Sequence, residues 1–199
     1  MTYQESIERY GLVPTDESLP AIRQLLAHEA ELERSGYGEE RKAELALLCC
    51  VQLFSRGIPE DALLIWEAKQ SGFDLGLYLD IQHLCGNGLQ QTKEFLRTHP
   101  SPEAASALEE LLDCEAHGEF EGWSPSTHFE YWRRYFRELN NSSCTNASGQ
   151  HRRSKALYYA ATPLRSMARV NSALCCVYES GSVSKSYEKE PANGDQGNN

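Results

Sequence analysis

The sequence predicts an all-α protein, either a compact helical bundle or a short α-solenoid-like array of about eight helices. Apolar residues recur with the helical period through most of residues 1–140. Proline followed by glutamate marks two helix starts, at Pro59 and Pro102. Helix starts predicted at 59, 73, 88 and 102 lie about 14 or 15 residues apart, which favours short antiparallel neighbours.

The first two predicted helices are separated by glycines. Asp16 and Ser18 come just before an apolar stripe of helical period, and Gly36 follows it, which predicts a helix between them. A second helix is expected from about Glu39 to Phe54. Its second half is apolar on almost every side, so we place it at the centre of the core.

Five more helices are predicted after Phe54, four of them with clear boundaries. The prolines open helices that stop before Gly72 and Gly118, Gly88 to Arg97 forms another, and the last spans about 126–139. Segment 73–85 is ambiguous, because its leucines also alternate with the period of a strand. A lone strand leaves backbone groups unpaired, so we predict a helix there as well.

The composition changes after Leu139. A polar linker follows from Asn140 to Gln150, and residues 182–199 contain almost nothing apolar to bury. Between them, residues 155–178 have a loose apolar stripe that Pro163 interrupts. We therefore predict a globular domain over 1–140 and a mostly disordered tail over 141–199 that contains one weak helix.

The net charge is −10 and it is unevenly distributed. Residues 1–140 hold 25 acidic and 12 basic residues, whereas residues 141–199 hold 4 and 7. An acidic chain repels a phosphate backbone, which argues against nucleic-acid binding. No apolar run approaches the roughly 18 residues of a membrane span. We expect a protein partner, and no cofactor, since phosphate-binding glycine loops and nucleophile elbows are absent from the sequence.

The seven cysteines are an odd number, and most of them lie inside apolar segments. The N-terminus has neither the basic nor the apolar region of a secretory signal. Reduced core thiols and a cytoplasmic location are the expectation from these features.

A few side chains are weak candidates for chemistry. Asp80 and His83 lie three residues apart in an apolar segment, an arrangement that suits an acid–base or ligand pair. His83, Cys85, Cys114 and His117 together offer four ligands of the kind that zinc prefers. Their spacings match no common zinc motif, and buried cysteines with histidines near helix ends are the simpler explanation.

The aromatic segment 120–136 is the most unusual feature of the sequence. On a helix, one face is expected to seal the core, while another presents residues enriched at binding hot spots. The candidates for partner binding are Tyr131, Arg133, Arg134, Tyr135 and Arg137.

Acidic side chains cluster over residues 29–44 and 109–121, where most are expected to face water. Two hypotheses of function follow. The favoured one is a non-enzymatic interaction module that uses the aromatic–arginine helix or the acidic faces, in one version an immunity- or inhibitor-type protein that masks a basic partner. The alternative is a small enzyme or metal-binding protein centred on Asp80, His83, Cys114 and His117.

Overall fold

The protein is all-α in a computed structural model that describes residues 1–36 and 43–143, with side chains to Asn140. Eight α-helices and two short 3₁₀ turns, at Asp16–Ser18 and Ile81–Leu84, make up the described residues, which contain no strand. The helices are α1 Tyr3–Tyr10, α2 Leu19–Ser35, α3 Ala43–Arg56, α4 Asp61–Lys69, α5 Phe73–Tyr78, α6 Leu89–Thr98, α7 Pro102–Ala116 and α8 Pro125–Ser143. The predicted fold class is confirmed.

Helix α3 is the centre of the core, as its apolar sequence predicts. Every residue from Leu45 to Phe54 is buried. The helices α1, α2, α4, α5 and α8 all pack against it. A helix surrounded in this way has no face left for solvent, which explains why its apolar residues follow no one-sided pattern.

Helix α1 was not predicted, although the sequence contains its start signal. Thr2 and Glu5 form a reciprocal capping box, in which the Thr2 hydroxyl accepts from the Glu5 N–H and the Glu5 carboxylate accepts from the Thr2 N–H. The Gln52 amide then donates to the Gly11 carbonyl at 2.7 Å and fixes the end of α1 against α3.

Segment 73–85 is helical, but it is two short pieces rather than one helix. Leu79 and Asp80 have extended backbones and separate α5 from the second 3₁₀ turn. The Lys69 ammonium donates to the carbonyls of Gly76 and Leu79, at 3.0 and 2.8 Å, where the helix ends. Phe73, the first residue of α5, is 61% exposed and so does not face the core.

The first acidic cluster is not entirely a surface feature. Glu29 and Glu33 are buried, with 5% and 8% of their surface exposed. The Glu33 carboxylate accepts from the Asp74 N–H at 2.9 Å and so caps the start of α5. Asp61, also buried, is held by two hydrogen bonds from Arg23, which tie α4 to α2.

Helix α8 continues to Ser143 and does not end at Leu139 as predicted. The remainder of the predicted tail, including the weak helix at 155–178, lies outside the described residues. No described helix combines the length and apolar character that crossing a bilayer requires.

Candidate functional site

The inner face of α8 seals the core against α3. Trp132 and Phe136 are each 1% exposed and Tyr135 is 8% exposed. Burial raises the pKa of the Tyr135 hydroxyl above its ordinary value of 10, and its oxygen has no hydrogen-bond partner among the described residues. Tyr135 therefore packs in the core rather than on the outer face of α8, and its predicted role in contacting a partner stays a prediction.

A pair of histidines lies beneath this face. The Trp132 indole N–H donates to Nε2 of His128 at 3.1 Å, so His128 is neutral with its proton on Nδ1. The His83 ring lies 4.9 Å from the His128 ring and 5.1 Å from the Trp132 ring, between centroids. Desolvation lowers the pKa of His83 to about 4 and that of His128 to about 2. Both rings are therefore uncharged at neutral pH.

His83 does not form the predicted pair with the Asp80 carboxylate. Its Nδ1 donates instead to the Asp80 backbone carbonyl at 3.0 Å. Its Nε2 is buried without a hydrogen-bond partner in the described structure, and the residue has no exposed surface. The extended backbone at Asp80 explains this, because it places the two side chains out of the helical register that the prediction assumed.

Asp80 keeps a raised pKa without the predicted partner. Burial raises the pKa of its carboxyl from 3.8 to about 6, Lys69 opposes the shift, and Glu119 adds to it. Tyr131 of α8 is a neighbour: desolvation raises the pKa of its hydroxyl, the charges of Asp80 and Glu138 raise it further, and that of Arg134 lowers it. Asp80 thus lies at the edge of α8, beside the predicted partner-binding residues.

The four candidate metal ligands do not assemble. Among the described residues, no three His, Cys, Asp or Glu side chains form a group suited to a metal ion. The His117 Nδ1 is 2.7 Å from the Asp113 carbonyl of its own helix. Cys85 and Cys114 are free thiols, and burial raises the pKa of each to about 12, which disfavours the thiolate that a metal needs.

The outer face of α8 carries a groove of about 480 Å³. Four of the five predicted partner-binding residues line it, together with Ser126, Thr127 and Glu130; they are Tyr131, Arg133, Arg134 and Arg137. Tyr131 is half-buried and packs edge-on against Trp132, with ring centroids 5.0 Å apart. The groove therefore has an aromatic wall that is fixed to the core and a rim of guanidinium groups.

Two of these arginines differ from the other bases of the described structure. Seven bases donate to a carboxylate or a backbone carbonyl, namely Arg23, Arg34, Arg56, Lys69, Lys93, Arg97 and Arg133. Arg9 lies over the Tyr10 ring. Arg134 and Arg137 form no ion pair with any described residue, although residues 1–140 hold about twice as many acids as bases. Glu130, which lies on the same helix, bonds Arg133 at 2.9 Å.

Sequence reasoning missed His128, the residue that joins the inner face of α8 to His83. Its signal is present, because His128 and Trp132 are four residues apart and so lie on one helix face. What the sequence does not show is that His83, 45 positions earlier, packs against both rings.

Comparisons with known proteins identify no relative: no family model, no curated protein and no solved structure matches this chain.

Proposed function

We propose that this protein is an interaction module that binds an acidic segment of a protein partner along the outer face of α8. The observation that carries the proposal is the pair Arg134 and Arg137, which line a groove without ion-pair partners among the described residues. Unpaired guanidinium groups in a chain rich in carboxylates favour an external anion, and arginine suits planar, two-pronged recognition of carboxylates.

The construction of α8 supports this role. Its inner face is anchored by Trp132 and Phe136, so the outer face is held rigidly and binding requires little ordering of the helix. Tyr131 adds a half-buried aromatic surface next to the arginines. Tyrosine and arginine are the residue types most often found at binding hot spots.

Three earlier predictions stay predictions. A basic partner would use the acidic face of α7, where Glu109, Asp113 and the 40% exposed Leu112 lie. The alternative of an enzyme or metal-binding protein gains nothing from His83, whose ring has no exposed surface. A cytoplasmic location fits the four described cysteines, which are all free thiols.

The proposal is tested with a fluorescein-labelled hexaglutamate peptide and the full chain, by fluorescence anisotropy at low salt. The whole protein repels this peptide because of its net charge of −10, so binding requires a local basic site. We expect saturable binding that weakens by about tenfold or more in the double variant Arg134→Gln/Arg137→Gln, because each charge-assisted hydrogen bond is worth roughly 1.5–3 kcal/mol.

The matched control is Arg97→Gln, which removes an exposed arginine of α6 that pairs with Glu94. Its affinity for the peptide should equal that of the wild type. Circular dichroism and thermal unfolding verify that both variants are folded. No binding to the wild-type protein, or equal loss in the control and the double variant, contradicts the proposal.

A further inference from the structure

The inner face of α8 encloses a pair of histidine rings that the proposed function does not use. We propose that His83 and His128 form a pH switch, in which protonation of the pair in acid releases α8 from the other helices before the core around α3 opens. The switch acts on the inner face of α8 and does not depend on the ligand of the outer face. Its basis is the packing of the two rings, the charges around them and the unpaired polar atoms of the same interface.

The two rings connect α8 to the rest of the fold. The His128 ring, in the first turns of α8, lies 4.9 Å from the His83 ring and 5.0 Å from the Phe54 ring of α3, between centroids. His83 belongs to the 3₁₀ turn Ile81–Leu84 and has no exposed surface. A proton on its Nε2 would find no acceptor among the described residues, because this atom has no hydrogen-bond partner there. The packing therefore accepts a neutral ring and disfavours a charged one.

Protonation of His128 also removes a hydrogen bond. The Nε2 lone pair of His128 accepts from the Trp132 indole N–H at 3.1 Å. Both ring nitrogens of an imidazolium are donors, so the indole would lose this acceptor at a position where Trp132 is only 1% exposed. Release of α8 lets water serve both groups.

The groups that neighbouring elements bring to the pair do not stabilise an imidazolium. Desolvation is the main cause that lowers the pKa of both rings; the positive Lys69 of α4 lowers that of His83 further, and the His83 ring lowers that of His128. From α3 the pair meets the uncharged ring of Phe54. From the segment before α8 it meets the uncharged indole of Trp123, whose ring is 6.0 Å from the His128 ring.

Asp80 is the acid next to the pair, and it compensates only in part. Its backbone carbonyl accepts from His83 Nδ1 and so favours a proton on that ring. Burial raises the pKa of its carboxyl to about 6, with Lys69 opposing and Glu119 adding to the shift, so this carboxyl loses its charge as the pH falls. The neighbouring Tyr131 hydroxyl stays protonated, because desolvation raises its pKa. Asp80 thus opposes the release by one proton, whereas the two histidines favour it by two.

The interface of α8 is incompletely hydrogen-bonded, which favours its release over the opening of the whole core. Six buried side-chain atoms have no hydrogen-bond partner among the described residues, and three of them lie here: His83 Nε2, Trp123 Nε1 and the Tyr135 oxygen. Each gains hydrogen bonds to water when α8 leaves, which offsets part of the cost of uncovering the aromatic rings. The opening of α3 would instead uncover every residue from Leu45 to Phe54.

Hydrogen–deuterium exchange of the full chain at pH 6.5 and 5.0, measured by mass spectrometry and corrected for the intrinsic rate, tests the switch. The protection of α8 should fall by about tenfold or more between these pH values, because the released helix takes up two protons and Asp80 returns one. At pH 5.0 the protection of α3 should stay about tenfold or more above that of α8. In His128→Gln, whose amide oxygen can still accept from Trp132, the fall in α8 should be about tenfold smaller. The matched control is His28→Gln, which removes an exposed histidine of α2 and should behave as the wild type.

Each other outcome overturns the switch. Equal protection of α3 and α8 at pH 5.0 shows that the fold opens as one unit. Unchanged protection of α8 shows that the pair does not respond to acid, and an equal fall in the wild type and His128→Gln assigns the response to carboxyl groups instead. If His128→Gln does not fold, His83→Gln provides the same comparison, because its amide can still donate to the Asp80 carbonyl.

Discussion

The two faces of α8 hold nitrogen-containing side chains in opposite charge states. The inner face holds neutral histidines, and the outer face holds charged arginines. The inner face buries His128 beside His83, and both rings remain neutral because desolvation lowers the pKa of each. The outer face exposes Arg134 and Arg137, whose charges are permanent and have no counter-ion among the described residues. Burial thus removes charge on one side of the helix, while exposure preserves it on the other.

The difference teaches which polar groups are available for function. His83 was a weak candidate for chemistry in the sequence, and its Nε2 lone pair is enclosed and reaches no other molecule. The arginines were predicted from the sequence to bind a partner. In the structure Arg134 and Arg137 are exposed and form no ion pair with a described residue. The comparison is sharpened by four measurements, taken from the largest expected effect on stability to the smallest.

The inner face should dominate stability. Trp132→Ala removes a side chain that is 1% exposed and also the N–H bonded to His128, so we expect the free energy of unfolding to fall by about 3–5 kcal/mol. Arg133→Ala on the outer face should change it by less than about 0.5 kcal/mol. Urea denaturation measures both, and equal effects would contradict the assignment of the two faces.

Acid should lower the free energy of unfolding through the two buried histidines, His83 and His128. The folded pKa values of His83 and His128, about 4 and about 2, lie below the ordinary 6.5, so the unfolded chain binds protons first. The stability of the histidine pair is complete above pH 6.5 and is lost as the pH falls toward 4. In His128→Gln, whose amide oxygen can still accept from Trp132, the slope of stability against pH should be smaller by about one proton, roughly 1.4 kcal/mol per pH unit.

Chemical denaturation at several pH values between 6.5 and 4.5 measures these slopes. Asp80 titrates in the same window with the opposite sign, but it is present in both proteins and cancels in the difference. Identical slopes for the wild type and His128→Gln would show that the His128 ring does not titrate in this way.

Replacing Asp80 should have a smaller effect than Trp132→Ala, and it should raise the free energy of unfolding instead of lowering it. Its pKa is raised to about 6, so its ionised form destabilises the folded protein above that pH. Asp80→Asn should therefore increase the free energy of unfolding by about 1 kcal/mol at pH 8, a value reduced for the partial exposure of the residue, and by much less at pH 4. Glu121→Gln, an exposed acid, is the control. A destabilised Asn variant at pH 8 would contradict this explanation.

The outer face should contribute least to stability. Since Arg134 and Arg137 form no ion pair with described residues, the double variant Arg134→Gln/Arg137→Gln should unfold within about 0.5 kcal/mol of the wild type. A larger loss in thermal or urea unfolding would mean that these arginines support the fold, and would weaken the case for an external ligand.

Features of the fold that depend on local sequence could be predicted. Features that depend on contacts with distant residues could not. Helix α3 was recognisable because its apolar residues surround the whole helix. The break at Leu79 and Asp80 was not, because it depends on Lys69, a residue of another helix, bonding the freed carbonyls. Helix α1 was missed only because the capping box of Thr2 and Glu5 was overlooked.

In the candidate site, too, local sequence predicted some residues correctly and distant packing decided the others. Tyr131 and the three arginines were identified from residue type and helical spacing, and all four line the groove. Tyr135 was assigned to the wrong face, because a helix this rich in aromatic residues has no sharp boundary between its apolar and polar sides. That no described acid forms an ion pair with Arg134 is a property of the packed chain, which no local pattern contains.

The two buried thiols of α3 offer a way to measure how often the core of the protein unfolds. Cys49 and Cys50 have no exposed surface, and burial raises the pKa of Cys49 to about 12 and that of Cys50 well above its ordinary value of 9.0. An alkylating reagent therefore reacts with them only in molecules whose centre has opened. Mass spectrometry of the peptide that contains them would report how often that happens, with no introduced label and no denaturant.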